Sequence, residues 1–261
     1  MEAGCKPCPG ILCADFSGTA GRFGMARWKW GALNALQAVM VLLVTAVGFP
    51  VALLLGLVAG PGAALRVASW YWAPLLFGGA GAKLVVEGAD GVDWSRPQVL
   101  VANHQSMFDI PSMFAAVPVP LRFMLKRELA SMPFIGWYAR LMGMVFIDRG
   151  NARDAKQKLG EAAGKLRDGA TLIAFPEGTR GTTGVVGPFK GGALQVALDA
   201  GVPVVPVAIE GSGAVLPPSG FRVRPGTIRV RFGAPIETAG LERNALAQQA
   251  RDAIVGMLPA R

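Results

Sequence analysis

The first third of the chain is dominated by two long apolar runs that contain no charged residue. The first run covers 35 residues from Gly31 to Leu65, and the second covers 16 residues after Arg66. A straight helix over the first run would be roughly 50 Å long, whereas the hydrocarbon core of a bilayer is about 30 Å thick. We therefore expect residues 25–82 to form a membrane-associated helical pair that is broken at the "GFP" of residues 48–50.

Basic residues flank this apolar region on both sides. Arg22, Arg27 and Lys29 precede it, and Arg66 and Lys83 lie towards its end. Lysine and arginine are enriched on the cytoplasmic side of membrane segments, so we expect both ends to stay on that side. This favours a hairpin that enters one leaflet or a tightly paired double crossing. A cleaved signal peptide is the alternative, but the run is too long for one and lacks a clear cleavage site.

Beyond residue 82, short apolar runs alternate with segments of helical periodicity. This alternation is typical of an α/β domain, and neither a repeat nor a long linker divides residues 83–261. We predict a single domain with a central mixed sheet flanked by helices. The predicted strands are 83–88, 98–103, 122–126, 143–148, 171–175, 202–209 and 227–232. The predicted helices are 151–168, with Asn151 as its cap, 192–200 and 241–258.

Residues 1–24 show no sustained periodicity and are rich in glycine and proline. We predict a disordered and dispensable extension. The three cysteines of the chain, Cys5, Cys8 and Cys13, all lie there. No fourth cysteine and no nearby histidine completes a tetrahedral zinc site, so we expect reduced thiols.

Composition and charge narrow the classes of partner. Apolar residues make up 52% of the chain and charged residues 16%, which is too apolar for a freely soluble enzyme. The net charge of +9 suits an anionic membrane surface, a phosphorylated substrate or an acidic carrier protein. Nucleic acid is not an expected partner, because the basic residues are scattered and no basic run is interleaved with aromatic residues.

Polar residues with catalytic or anion-binding chemistry follow three of the predicted strands. His104, the only histidine, follows residues 98–103, Arg149 follows the strand that ends near Ile147, and residues 177–180 follow 171–175. Ligand crevices in open α/β sheets form outside the carboxyl ends of the strands. We therefore expect these three segments to converge on one site.

Four short sequence blocks carry a family resemblance. They are "NHQSMFD" (103–109), "GMVFIDR" (143–149), "FPEGTR" (175–180) and "VPVVPVAI" (202–209), in that order. Together they resemble the motif blocks of the glycerolipid acyltransferases, most closely the bacterial 1-acylglycerol-3-phosphate acyltransferases, over roughly residues 83–235. The resemblance implies a catalytic H-x4-D pair, His104 and Asp109. It also implies a site for a phosphorylated acceptor formed by Arg149, Glu177, Gly178, Thr179 and Arg180.

The H-x4-D pair suits acyl transfer from a thioester to a hydroxyl group. An alcohol is a weak nucleophile at neutral pH, so a base must take its proton. Asp109 would accept the Nδ1 proton of His104 and leave Nε2 as the base. A lone histidine near an aspartate is more often structural, but the three other blocks favour catalysis. Ser106 is the rival nucleophile, yet no G-x-S-x-G elbow surrounds it, so we expect no acyl-enzyme intermediate.

Residues 177–180 also suit phosphate binding on chemical grounds. Gly178 permits backbone amides to turn towards an anion, Thr179 offers a hydroxyl, and Arg180 offers a planar fork of donors. The alternative is a surface turn closed by an ion pair between Glu177 and Arg180. Two lysines are further candidates for the phosphate or, equally, solvated surface charges: Lys126 and Lys190. No cluster has metal-ligand spacing, so we expect neither a metal nor another cofactor.

The resemblance implies an integral monotopic enzyme of the cell inner membrane with its active site on the cytoplasmic side. It would acylate the sn-2 hydroxyl of lysophosphatidic acid and yield phosphatidic acid, with acyl-CoA or acyl carrier protein (acyl-ACP) thioester as donor. Another lysolipid, such as a lyso-ornithine lipid or a lysophospholipid, stays open as the acceptor because the blocks are shared. A catalytically silent lipid-binding membrane protein is the alternative in a different class, although the presence of both His104 and Asp109 disfavours it.

Overall fold

A computed structural model describes residues 27–132, 134–147, 152–181 and 184–259 of the chain. The predicted extension of residues 1–24, with its three cysteines, lies outside the described residues. Arg149 and the predicted helix cap Asn151 also lie outside them.

The described part of the chain begins with a helix of 33 residues, α1 (Arg27–Ala59). Within it, Trp30–Ala59 is long and apolar enough to cross a membrane, with a mean hydropathy of 2.6 in its most apolar window. Only 6% of that window is buried inside the protein. Large side chains such as Leu42 and Leu57 are 69% and 71% exposed. An exposed apolar surface of this length suits contact with lipid.

The chain turns after α1 at a different place from the predicted one. The break predicted at residues 48–50 is wrong, because α1 continues through Pro50. The turn lies at Gly60, whose φ is 84°, and Pro61 opens helix α2 (Pro61–Val67). Glycine adopts a positive φ readily, and proline at the first helical position has no N–H to leave unpaired. An interior proline costs the helix one hydrogen bond, but a break inside an apolar segment would expose more unpaired backbone groups.

A second helical arm packs back against α1 and completes the hairpin. It runs from α2 through a short π-helical segment, Ala68–Trp72, into α3 (Ala73–Ala80). Gln37 of α1 donates to the carbonyl oxygen of Gly79 at 3.2 Å, and the Trp72 indole donates to Thr45 Oγ1 at 3.1 Å. These contacts hold the two arms side by side.

A mixed sheet follows the hairpin, in agreement with the predicted fold class. Its order is β1-β7-β6-β2-β5-β3-β4, and neighbours are parallel except for the antiparallel pair β6 and β7. Every observed end lies within two residues of its prediction. The strands are β1 (Ala82–Glu87), β2 (Gln98–Ala102), β3 (Leu121–Lys126), β4 (Val145–Ile147), β5 (Thr171–Ala174), β6 (Val204–Glu210) and β7 (Gly226–Phe232).

Helices cover both faces of the sheet, because the central strands are apolar on both sides. On β2, Leu100 and Ala102 face the core formed with α2, α3 and α4, whereas Val99 and Val101 face the core formed with α6, α7 and α9. The remaining helices in order are α4 (Asp109–Ala116), α5 (Ile135–Leu141), α6 (Ala152–Arg167), α7 (Gly192–Ala200), α8 (Ser212–Val215) and α9 (Arg243–Met257). The adjacent parallel strands β2 and β5 end at the same edge, and the site lies there.

Candidate active site

His104 and Asp109 come together just past the carboxyl end of β2. Asn103, the residue before His104, is locked to the neighbouring strand β6 by two hydrogen bonds. Its Nδ2 donates to the Ile209 carbonyl oxygen at 2.8 Å, and the Ile209 amide donates to its Oδ1 at 2.7 Å. The chain then turns, and Asp109 opens α4. As a result, His104 Nδ1 lies 2.7 Å from Asp109 Oδ2.

Backbone amides hold the Asp109 carboxylate in addition to the imidazole. Oδ2 accepts hydrogen bonds from the amides of Gln105 at 2.7 Å and Ser106 at 2.9 Å. The Asp109 side chain is fully buried, whereas 15% of the His104 side chain is exposed. An ionised carboxylate can only accept, so the shared proton belongs on Nδ1 and Nε2 is left as the basic nitrogen. The arrangement can take a proton from a substrate hydroxyl.

An aromatic ring fixes the orientation of the imidazole from its face. The His104 ring stacks on Phe175, with ring centroids 4.1 Å apart and an angle of 17° between the planes. Phe175 directly follows β5, the strand next to β2. The imidazole is therefore held at one edge by a carboxylate and on one face by an apolar ring.

Glu177 lies between the loop that follows β2 and the loop that follows β5. Its Oε1 accepts a hydrogen bond from the His104 amide at 2.8 Å, and its Oε2 accepts one from the Gly187 amide at 2.9 Å. The Gly181 amide in turn donates to the His104 carbonyl oxygen at 2.8 Å. The Glu177 carboxylate is thus used to join the loop after β5 to the loop that carries His104. This places Glu177 as a positioning residue, with its oxygens turned to backbone amides.

The other predicted phosphate contacts that the structure describes lie at the same edge of the sheet. Gly178 has a φ of 81°, which favours glycine, and the Thr179 and Arg180 that follow are exposed. Arg180 directly precedes Gly181 and is thereby close in the backbone to His104.

Two lysines are placed near this loop. Exposed Lys126 ends β3, the neighbour of β5, and the amide of exposed Lys190 donates to the Pro176 carbonyl oxygen at 2.9 Å.

Ser106 is not placed to act as a nucleophile. Its side chain is buried, and its Oγ donates to the Leu216 carbonyl oxygen at 2.6 Å while it accepts from the Phe108 amide. Within the described residues, no group of three or more histidine, cysteine or acidic side chains could hold a metal ion.

An apolar cavity of about 320 Å³ is lined in part by residues that adjoin the His104–Asp109 segment. Met107 and Ile110 line it from either side of Asp109, and Phe123, whose ring centroid is 6.2 Å from that of Phe175, lines it from β3. Phe134, which is 62% exposed, opens it to the surface near α1. Its remaining lining residues are Thr45, Gly48, Phe49, Val67, Ala68, Trp72, Phe114, Leu125, Leu129, Ile135, Tyr138, Ala139 and Met144.

The cavity remains uncharged at neutral pH. Burial raises the pKa of the Tyr138 phenol above its ordinary value, so this side chain stays neutral. A cavity lined in this way can accept a hydrocarbon chain, for which it offers no competing charge.

Comparisons with known proteins point to one family. The sequence model of the family described as Acyltransferase matches residues 83–210, which include His104, Asp109 and residues 177–180. A 1-acyl-sn-glycerol-3-phosphate acyltransferase from Pseudomonas aeruginosa is 34% identical over 170 residues, which are 65% of this chain and 65% of that protein. Residues 83–210 of the chain therefore match the acyltransferase family.

Two further acyltransferases show how far the similarity extends. The human 1-acyl-sn-glycerol-3-phosphate acyltransferase alpha is 34% identical over 179 residues, which are 67% of this chain and 63% of that protein. The crystal structure of the 1-acyl-sn-glycerophosphate (LPA) acyltransferase PlsC from Thermotoga maritima matches with a TM-score of 0.75 at 27% identity. That match covers 89% of this chain and 100% of the other. The chain spans just under two thirds of the Pseudomonas and human relatives.

Two features of this acyltransferase site were not predicted from the sequence. The bridging role of Glu177 depends on backbone amides that lie 73 positions before it and 10 after it. The apolar cavity combines residues between Thr45 and Met144 from the hairpin and from the α/β domain. No local pattern marks either feature, although the aromatic residues around α5 were a signal that could have suggested a lipid-facing surface.

Proposed function

We propose that the chain is a 1-acylglycerol-3-phosphate O-acyltransferase. It transfers an acyl group from acyl-CoA or acyl-ACP to the sn-2 hydroxyl of lysophosphatidic acid and yields phosphatidic acid. The observation that carries this proposal is the pairing of His104 with Asp109, in a segment that matches the acyltransferase family and whose residues Met107 and Ile110 line an apolar cavity. The names of the similar proteins support the same acceptor.

The reaction proceeds by direct attack of the acceptor on the thioester. His104 Nε2 takes the proton of the hydroxyl while the hydroxyl oxygen attacks the carbonyl carbon. The new C–O bond forms, the C–S bond breaks, and the imidazolium proton goes to the departing thiolate. Asp109 stabilises the imidazolium between these two proton transfers, because its buried Oδ2 lies 2.7 Å from Nδ1.

The acyl chain and the phosphate of the substrates have separate places around the pair. The apolar cavity accepts an acyl chain, since it is lined by apolar side chains and opens next to α1. The exposed loop with Thr179 and Arg180 offers a hydroxyl and a charged fork for the phosphate. Arg149, Lys126 and Lys190 are further candidates for that contact.

The exposed apolar face of α1 attaches the enzyme to a membrane. We place the enzyme at the cell inner membrane with the site on its cytoplasmic side, where basic residues flank the hairpin and soluble thioesters are available. A lysolipid can then reach the site from the bilayer while the donor arrives from the aqueous side.

A comparison of acceptors tests this assignment. Purified full-length protein in mixed micelles should acylate lysophosphatidic acid faster than a lyso-ornithine lipid, lysophosphatidylcholine or a monoacylglycerol, with acyl-CoA and acyl-ACP tried in turn. A preference for another lysolipid would change the proposed acceptor but leave the proposed acyltransferase activity in place. Binding of lysolipids without transfer to any of them would leave a catalytically silent lipid-binding protein.

Loss of Arg180 should weaken use of the acceptor more than use of the donor. A charged hydrogen bond contributes roughly 1.5–3 kcal/mol, so Arg180→Ala should raise the acceptor KM about 10- to 100-fold. Arg180→Lys should recover only part of the loss if the contact is bidentate, because lysine lacks the planar fork. Arg149→Ala should behave like Arg180→Ala, and the exposed Arg96 provides the control Arg96→Ala. A rise in donor KM with a flat acceptor KM would assign these arginines to the donor phosphates instead.

Truncation separates the membrane anchor from the rest of the chain. Deletion of residues 1–24 should leave activity and membrane binding unchanged. Deletion of residues 1–82 should release the α/β domain from membranes or make it aggregate, because it removes α1 and uncovers the core that packs against α2 and α3. Flotation with lipid vesicles provides the measurement. A fragment of residues 83–261 that stays fully bound to vesicles would show that the anchor lies elsewhere.

A further inference from the structure

The C-terminal helix α9 reaches towards the active site through one arginine. This helix lies outside the segment that matches the family, residues 83–210. Arg251 on α9 donates from Nη2 to the Val186 carbonyl oxygen at 2.9 Å and from Nε to the Gly187 carbonyl oxygen at 3.1 Å. The planar guanidinium thereby joins two successive carbonyl groups of one loop.

The loop held by Arg251 is the same one that holds Glu177. The Gly187 amide donates to Glu177 Oε2 at 2.9 Å, and Glu177 Oε1 accepts from the His104 amide at 2.8 Å. His104 Nδ1 then meets Asp109 at 2.7 Å. Hydrogen bonds thus lead from α9 to the backbone amide of His104, the residue that carries the catalytic imidazole.

We propose that Arg251 is a positioning residue for His104, acting through the Gly187 loop and Glu177. The Glu177 carboxylate is stretched between two amides, so displacement of Gly187 removes one of them and lets the carboxylate turn away from the His104 amide. The Gly187 backbone and the Glu177 carboxylate are closely packed, since a Cβ added at Gly187 would lie 3.3 Å from Glu177 Oε2. Arg251 fixes both carbonyl groups from two nitrogens of one rigid plane, a geometry that the single nitrogen of a lysine does not reproduce.

The single histidine of the chain makes this inference testable apart from catalysis. The inference rests on the proposed function for its kinetic consequences only. In protein labelled with nitrogen-15 at histidine, every imidazole NMR signal belongs to His104. The position of the ring can therefore be followed even if no acyl acceptor is turned over.

The kinetic test compares Arg251→Ala and Arg251→Lys with the control Arg167→Ala in the full chain. Arg167 also donates from its side chain to a backbone carbonyl, that of Asp199 at 3.2 Å, but on the surface away from His104. Small displacements of reacting groups cost up to about a hundredfold in rate, and through three intervening contacts we expect kcat to fall about tenfold in Arg251→Ala. The donor and acceptor KM should change much less. Arg251→Lys should recover part of the loss, and Arg167→Ala should leave kcat unchanged.

Two further measurements separate positioning from general stabilisation. The imidazole signals should shift or broaden in Arg251→Ala and stay in place in Arg167→Ala. Arg251→Ala should lower kcat by a smaller factor in a Glu177→Gln background than in the wild type, because the Glu177 variant already interrupts the connection to His104. Unchanged imidazole signals in a less stable Arg251→Ala protein would overturn the proposal. The proposal would also be overturned if the fold-losses in kcat of Arg251→Ala and Glu177→Gln multiplied in full in the double variant.

Discussion

Replacement of His104 by alanine should lower the turnover of acyl transfer by about two to four orders of magnitude, the range typical of losing a general base. His104 is the only histidine in the chain, so no other imidazole can take its place. Asp109 cannot act as the base itself, because it is fully buried behind the imidazole. Steady-state kcat and KM for both substrates provide the measurement, and KM should change far less than kcat.

The His104→Ala variant also loses the stacking contact with Phe175, so its folding has to be checked. Thermal unfolding and flotation with vesicles should match the wild type closely, since the imidazole is one of several contacts between the loops. Imidazole added to the buffer should restore part of the turnover of His104→Ala. Near-normal turnover without added imidazole would rule out the general-base role.

The second large effect is expected for Asp109→Asn. Three donors converge on Oδ2: His104 Nδ1 and the amides of Gln105 and Ser106. If the asparagine oxygen takes that place, its amide group is buried at the Oδ1 position, where the carboxylate oxygen has no hydrogen-bond partner among the described residues. If the amide group takes that place, it faces three donors. In both orientations the imidazolium loses its negative partner, so kcat should fall by about two to four orders of magnitude.

Asp199→Asn provides a matched control on the exposed surface of α7 and should leave kcat unchanged. Asp109→Asn should also lower the midpoint of thermal unfolding, because the hydrogen bonds that the Gln105 and Ser106 amides donate to a charged carboxylate are replaced by weaker ones to a neutral amide or are lost. If the folded fraction of Asp109→Asn turned over near the wild-type rate, Asp109 would have a structural role and no role in catalysis.

Most of the α/β domain could be predicted from the sequence because its strands are short apolar runs between polar turns. The central strand β2 is buried along its whole length, and its predicted limits, 98–103, differ from Gln98–Ala102 by one residue. The predicted strand 143–148 begins only at Val145 in the structure, and its last predicted residue lies outside the described residues. Among the described residues β4 pairs with β3 alone at the edge of the sheet, so that pairing sets the start of β4 more than hydrophobicity does.

The position of the break in the hairpin could not be predicted from Pro50 alone. A proline inside a helix costs about 3 kcal/mol in water, which favours a break there. In an apolar surrounding the unpaired backbone groups of a break cost more, and the helix runs on. The adjacent Gly60 and Pro61 combine a positive φ with a residue suited to a helix start, and they were the stronger signal.

The site itself was predicted only as far as local motifs reach. His104 and Asp109 are five positions apart, so one turn into a helix brings them together. The place of Glu177 in the phosphate site stays a prediction, and its carboxylate joins two backbone amides that a local motif does not display. Arg251 is 147 positions from His104, and only the packing of α9 on the sheet brings its guanidinium to the Gly187 loop.

The most direct test of the proposed reaction is the position of the transferred acyl group. Full-length protein in mixed micelles is given carbon-13-labelled acyl-CoA and lysophosphatidic acid, and the product is analysed by mass spectrometry, with His104→Ala as the blank. We predict phosphatidic acid that carries the label at sn-2 alone, formed by the wild type and nearly absent from the blank. Phosphatidic acid formed equally by both proteins, or release of free fatty acid without phosphatidic acid, would contradict acyl transfer by the His104–Asp109 pair.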